Sequence, residues 1–101
     1  MATDKDDLRR RFHDEMLRIY DEAKDKCPGY KGSRFIQMVR REGGFETAKR
    51  LLVNPDIQDG FTDLALCECL HLTAEHLILE PEFETLFSDG ERAVARERLG
   101  R

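Results

Sequence analysis

Cys67-Glu68-Cys69-Leu70-His71, with His76 and Cys27 elsewhere, gathers the side chains that bind zinc. Zinc takes thiolate and imidazole ligands in a tetrahedron, and structural sites usually pair cysteines about two to four residues apart. At about 100° per residue, Cys67 and Cys69 would point about 200° apart on a helix, so one ion could not bind both. No second cysteine pair is present to complete a structural site. Three cysteines cannot all pair within one chain, which predicts reduced thiols acting as small buried hydrophobes in an intracellular setting. No metal is expected, and no cofactor.

His13, His71 and His76 are the candidate general bases. None has a serine, cysteine or aspartate beside it in a nucleophile pattern, so core or surface roles are expected for them. Gly29, Gly32, Gly43 and Gly44 match neither a Walker loop nor a dinucleotide fingerprint. No catalytic residue is named, and the expectation is a non-enzymatic protein.

The distinctive chemistry is charge. Residues 28–53 hold six cations (Lys31, Arg34, Arg40, Arg41, Lys49, Arg50) against Glu42 and Glu46, whereas 54–90 holds nine carboxylates and no lysine or arginine. Such segregation bears on partners and encounter rather than on fold. Lys31, Arg34, Arg41, Lys49 and Arg50 are the candidate binding face, spread across the Gly43-Gly44 corner. Arg34 and Arg41 lie two helical turns apart, and a helix starting near Phe45 would add backbone N–H groups for phosphate or carboxylate. The acidic block either contacts a basic partner, folds against the basic block, or permits head-to-tail assembly of copies. Exposed ion pairs contribute only about 0–1 kcal/mol each, so assembly would need apolar area from the first helix.

The elements that must position these charges read as helices. Over about 5–26, Leu8, Phe12, Met16, Ile19, Tyr20 and Ala23 recur at spacings of three and four, with charged residues between. Asp4, Asp6 and Asp7 suit the positive end of that helix, Lys24 and Lys26 its negative end, and Cys27-Pro28-Gly29 stops it. Ser33 is the expected N-cap of a helix carrying Phe35, Ile36, Met38 and Val39. Gly43-Gly44 ends it, and Phe45, Ala48, Leu51 and Leu52 restart the period at once. Asn54-Pro55-Asp56 and Asp59-Gly60 break the chain. A helix from Phe61 carries Leu64 and Ala65 to near Cys69, although near-alternation over 67–72 would also suit an unpaired strand. Thr73 caps a helix over 74–80, and Pro81 opens a short one carrying Phe83, Leu86 and Phe87. Ser88 and Glu91 have capping-box spacing for a last helix with Ala93, Val94 and Leu99 inward.

The prediction is all-α: a compact bundle of about six or seven short helices, with a longer N-terminal amphipathic helix over 1–27 and the helical domain over 28–101. The sequence leaves open whether the first helix docks or projects. The longest uncharged run, from Cys69 to Ala74, is far below the roughly 20 apolar residues of a membrane span, so no membrane role is expected. Residues 1–26 lack the apolar core of a secretory signal, which predicts a cytoplasmic location.

Gly43-Gly44-Phe45-Glu46-Thr47-Ala48-Lys49-Arg50-Leu51-Leu52, Asp59-Gly60-Phe61-Thr62-Asp63-Leu64, Leu72-Thr73-Ala74-Glu75 and Glu82-Phe83-Glu84-Thr85-Leu86-Phe87 occur in that order. Together they resemble a small bacterial helical domain, over roughly 30–99. The resemblance implies a compact helical fold and a bacterial source, and it brings no catalytic residue, ligand or partner. Separately, the stretch from Phe35 to Phe45 is similar to the helix–Gly-Gly–helix corner of the AT-rich interaction DNA-binding domain. It departs from that family in lacking the tryptophan after the corner and in being acidic where the DNA-reading helix should lie. A helix-turn-helix opening at Leu72-Thr73-Ala74-Glu75 fails for the same reason, since Glu82 and Glu84 would face phosphates.

The expected function is a protein-interaction or accessory module. Its partner would be an unidentified protein or a second copy of the chain. The alternative is a nucleic-acid-binding accessory domain using the same basic face.

Overall fold

Phe12, Met16, Ile19 and Ala23 lie on one stripe of the first helix and are all 2% exposed or less. The computed structural model describes residues 2–54 and 60–100. In it α1 (Ala2–Lys26) docks along its apolar stripe onto the rest of the chain instead of projecting. Each fully buried side chain of this size is worth about 1.5–3 kcal/mol of transfer free energy. α2 (Ser33–Glu42) and α3 (Gly44–Val53) form a helical hairpin against α1. α4 (Phe61–Leu66), α5 (Ala74–Ile78) and α6 (Asp89–Arg98) follow, with 3-10 turns at Leu70–Leu72 and Pro81–Leu86. No strand occurs among the described residues, so the all-α expectation holds and 67–72 is not extended. The breaks expected at Pro55, Asp56 and Asp59 lie outside the described residues.

The corner between α2 and α3 needs glycine twice, for different reasons. Gly43 has φ 93° and ψ 156°, a backbone conformation closed to L side chains, and lets α3 begin with no intervening loop. Gly44 is already the first residue of α3 and touches α1: a Cβ there would sit 2.7 Å from the Cα of His13. Below this crossing Phe12 meets Phe83 edge-on at 5.1 Å and Phe87 at 5.3 Å, which ties α1 to the 3-10 turn and the start of α6.

Local signals placed most helix starts. The Thr73 hydroxyl accepts from the His76 N–H at 3.2 Å, Pro81 opens its 3-10 turn, and Ser88 with Glu91 forms a complete capping box. Four expectations are corrected. Gly32, not Ser33, occupies the N-cap of α2, and no side chain caps it. α4 ends at Leu66 and leaves Cys67 and Cys69 beyond the helix. α5 stops at Ile78. On α6 Leu99 is buried and Val94 packs against the core as expected, but Ala93 is exposed and Ala95 is the fully buried alanine.

The thiols are also corrected: Cys27 and Cys67 form a disulfide across 40 residues, and Cys69 alone is free and buried. An odd count forbids pairing all three cysteines, but it leaves two free to pair. No helix among the described residues is long and apolar enough to cross a membrane.

Candidate binding cleft

Arg34, Gln37, Met38 and Arg41 recur at i, i+3, i+4 and i+7 along α2, and Arg50, Val53 and Asn54 follow i, i+3, i+4 at the end of α3. Because the hairpin runs these rows past each other, both line one cleft of about 480 Å³. Three of the five expected cations therefore converge: Arg34, Arg41 and Arg50.

Glu42 sets the geometry of two of them. Its Oε1 lies 2.7 Å from Arg50 Nε in an ion pair, and its Oε2 accepts from Arg41 Nη2 at 3.1 Å. The carboxylate is only 20% exposed, whereas the Arg41 and Arg50 side chains are 68% and 61% exposed. Arg50 thus pairs with Glu42 through Nε and Arg41 through Nη2, and both side chains stay largely in solvent. A guanidinium presents five donors in a planar fork suited to carboxylate or phosphate. Val53, at 84% exposed, stands beside these forks as one of two large apolar side chains left in solvent among the described residues. The cleft thus offers charged donors on its walls and an apolar contact at its rim.

The other two expected cations lie apart. Lys49 Nζ donates to Glu91 Oε2 at 2.7 Å and lies 5.5 Å from the Phe45 ring centroid, on the side of α3 that faces α6. Lys31 is exposed near α4, where its backbone N–H donates to Asp63 Oδ2 at 3.1 Å. The five cations do not form one continuous face, because α3 turns Lys49 and Arg50 to different sides.

At the expected phosphate seat, the start of α3, one backbone N–H is already engaged. The Gly44 N–H donates to His13 Nδ1 at 2.8 Å, so α1 already caps that terminus. Arg9 lies over the Phe45 ring at 4.5 Å beside it.

Among the described residues, several carboxylates of the acidic block meet side chains of α1, α5 and α6. Glu82 pairs with Arg11, Glu84 with Arg92 at 3.7 Å and Glu80 with His76 at 3.2 Å. Within the expected basic face, Lys49 forms an ion pair with a downstream acid, Glu91.

His71 and His76 border a second cleft of about 330 Å³ with Glu15, Arg18, Glu22, Glu80 and Glu82. The hydrogen bond from Arg18 to Glu15, supported by a second to Glu22, holds that guanidinium protonated more firmly than usual despite partial burial. No group of three or more His, Cys, Asp or Glu among the described residues is arranged to hold a metal ion.

Sequence reasoning missed Arg98 and Glu75. Arg98 donates to the carbonyls of Leu51 and, at 2.8 Å, Leu52, which caps the C-terminal end of α3 next to the cleft. It also meets the buried carboxylate of Glu75. Its partners are 23 to 47 residues away, and no local pattern announces them.

No family model, curated protein or solved structure matches this chain.

Proposed function

We propose that this chain is a bacterial, cytoplasmic, non-enzymatic interaction module that grips an acidic segment of another protein through the Arg34–Arg41–Arg50 cleft. The observation that carries this reading is the convergence of three arginines from two helices beside the exposed Val53. Aspartate or glutamate side chains would bridge the guanidinium forks, and an apolar neighbour would cover Val53. Arginine is enriched at protein interfaces, whereas lysine, glutamate and aspartate are depleted there.

The separation of Lys31 and Lys49 from the cleft favours a short acidic segment over a nucleic-acid duplex. Duplex binding draws its affinity from many phosphate contacts along a continuous basic surface. A second copy of the chain is the weaker partner. The apolar stripe of α1, expected to supply an assembly interface, is spent in the core. Many of the downstream acids are engaged within the molecule as well.

The test is a side-by-side titration by fluorescence anisotropy, using a labelled peptide of alternating glutamate and leucine and a labelled DNA duplex. Saturable binding of the peptide with weaker binding of the duplex supports the reading. Preference for the duplex, with a steep salt dependence, would replace it by the nucleic-acid alternative. Absence of peptide binding at low salt would end it.

A further inference from the structure

The Cys27–Cys67 disulfide closes a seam between two short stretches, 27–32 and 60–67. Across that seam Lys31 and Tyr30 make further contacts. The Lys31 N–H meets Asp63 Oδ2 in an exposed hydrogen bond. The Tyr30 ring packs on Gly60, where a Cβ would lie 2.2 Å from Cε1. α4 is six residues long and Leu64 is its one buried residue, while Leu66 at its end is 80% exposed. A helix this short has no stability of its own and depends on its tethers. Just past it Glu68 takes φ 59°, a conformation unfavourable for a non-glycine residue. By contrast, α1, α2, α3, α5 and α6 supply most of the apolar core, to which the seam adds Cys27, Leu64 and Cys69.

We infer that this disulfide is a redox-operated latch. Bonded, it holds α4 and the following turn against the chain leaving α1; as two thiols, it lets 61–69 open while the rest of the bundle stays folded. The reductant is a small-molecule thiol of the glutathione class. Cys27 is 1% exposed and Cys67 is half-buried between exposed neighbours, so the attack falls on Cys67. The incoming thiolate bonds to the Cys67 sulfur as the Cys27–Cys67 bond breaks, and Cys27 leaves as a thiolate. A second small thiolate then attacks the external sulfur, releasing Cys67 as a thiolate and a small-molecule disulfide. Two electrons pass to the protein, and the two cysteine thiolates take up protons from solvent. In an otherwise reducing compartment, a disulfide of this kind is transient and reports redox state. The inference stands independently of the binding cleft.

Cys69 reports opening. Its thiol donates to the Cys67 carbonyl at 3.5 Å in the closed form, where it is buried, and it becomes reactive once the seam parts.

The test is native hydrogen–deuterium exchange read by mass spectrometry, with the whole chain equilibrated in oxidised or reduced glutathione. The amides of Leu64, Cys67 and Cys69 are hydrogen-bonded within this segment. On reduction they should exchange at least about tenfold faster, while those of α1, α3 and α6 keep their protection, the signature of local opening. Cys67→Ser should reproduce that pattern without reductant, and Cys69→Ser should leave the Cys27–Cys67 bond and the closed pattern intact. Unchanged exchange over 61–69 would overturn the latch. So would loss of protection everywhere, or failure of Cys67→Ser to fold, because the bond would then be a staple of the whole fold. Loss of the disulfide in Cys69→Ser would overturn the pairing itself.

Discussion

Arg98 Nη1 lies 3.3 Å from Oε2 of Glu75, a carboxylate that is 1% exposed and whose Oε1 has no hydrogen-bond partner among the described residues. The same guanidinium donates to the last carbonyls of α3, so one side chain from α6 neutralises a buried charge and caps a helix end. Removing one partner of such a pair costs more than the pair itself contributes, because the other charge stays buried. Arg98→Met is therefore expected to lower stability by about 3 kcal/mol or more in urea unfolding. Pairing that change with Glu75→Gln should recover part of the loss. A change below about 0.5 kcal/mol would show that Glu75 is solvated in the native state.

The α1–α3 crossing gives a second prediction. A Cβ on Gly44 would fall 2.7 Å from His13 Cα and 3.0 Å from Met16 Cγ. The first contact is backbone and cannot rotate away. Gly44→Ala should lower the urea midpoint, with a cost of about 1–3 kcal/mol from overpacking. Gly43→Ala should cost a similar amount for a different reason, its φ of 93°. His13→Ala should cost about 1 kcal/mol, the usual worth of the hydrogen bond it accepts from Gly44.

Glu91 gives the acid side of the stability profile. Burial pushes its pKa up, but hydrogen bonds from the Lys49 ammonium and the Ser88 N–H, with attraction to Lys49, outweigh burial and hold it below the ordinary carboxylate value. A carboxyl whose pKa is lower folded than unfolded stabilises the protein fully above the unfolded value, about 4.3. That contribution is lost as pH falls through the folded value. Urea unfolding at about pH 7 and pH 3 should show Glu91→Gln less stable than the parent at the higher pH. The difference should shrink at the lower pH. A gap of equal size at both would show that Glu91 acts through hydrogen bonding without its charge.

Glu68 gives a stabilising change. Its φ of 59° costs a non-glycine residue about 1–2 kcal/mol. Glu68→Gly should raise the urea midpoint, the relief exceeding the extra freedom glycine gains in the unfolded chain. A lower midpoint would mean that the Glu68 side chain holds the turn by contacts of its own.

How far the sequence reached depended on the range of the interaction. Gly43-Gly44, Thr73 and the Ser88–Glu91 box act within four residues, so their spacing announced them. The apolar stripe of α1 was legible for the same reason, since a helix fixes its own period. Ala93 against Ala95 was not legible, because alternating alanines on α6 leave the phase to whatever packs beneath. The Cys27–Cys67 bond and the Arg98–Glu75 pair join residues 40 and 23 apart, and only the fold brings them together. The cleft lies between these extremes. Arg34 and Arg41 were aligned by helical spacing, but the departure of Lys49 from Arg50 required knowing which side of α3 faces α6.

Glu42 separates positioning from competition in the cleft. It binds both Arg41 and Arg50, so an acidic ligand and this carboxylate seek the same donors. Glu42→Gln should tighten the acidic peptide probe by about two- to fivefold at low salt, the scale of one exposed ion pair. Weaker binding would assign Glu42 the task of holding the two forks in place.

The most direct measurement compares Arg50→Gln with Lys49→Gln in anisotropy titrations of the glutamate–leucine peptide at low salt. The two residues are neighbours on α3, each change removes one positive charge, and only Arg50 lines the cleft. Arg50→Gln should weaken binding about tenfold, the worth of a charge-assisted hydrogen-bonded contact, and Lys49→Gln should change it less than about twofold. Equal losses in both variants would show that the peptide senses net charge alone, and the cleft would not be the site.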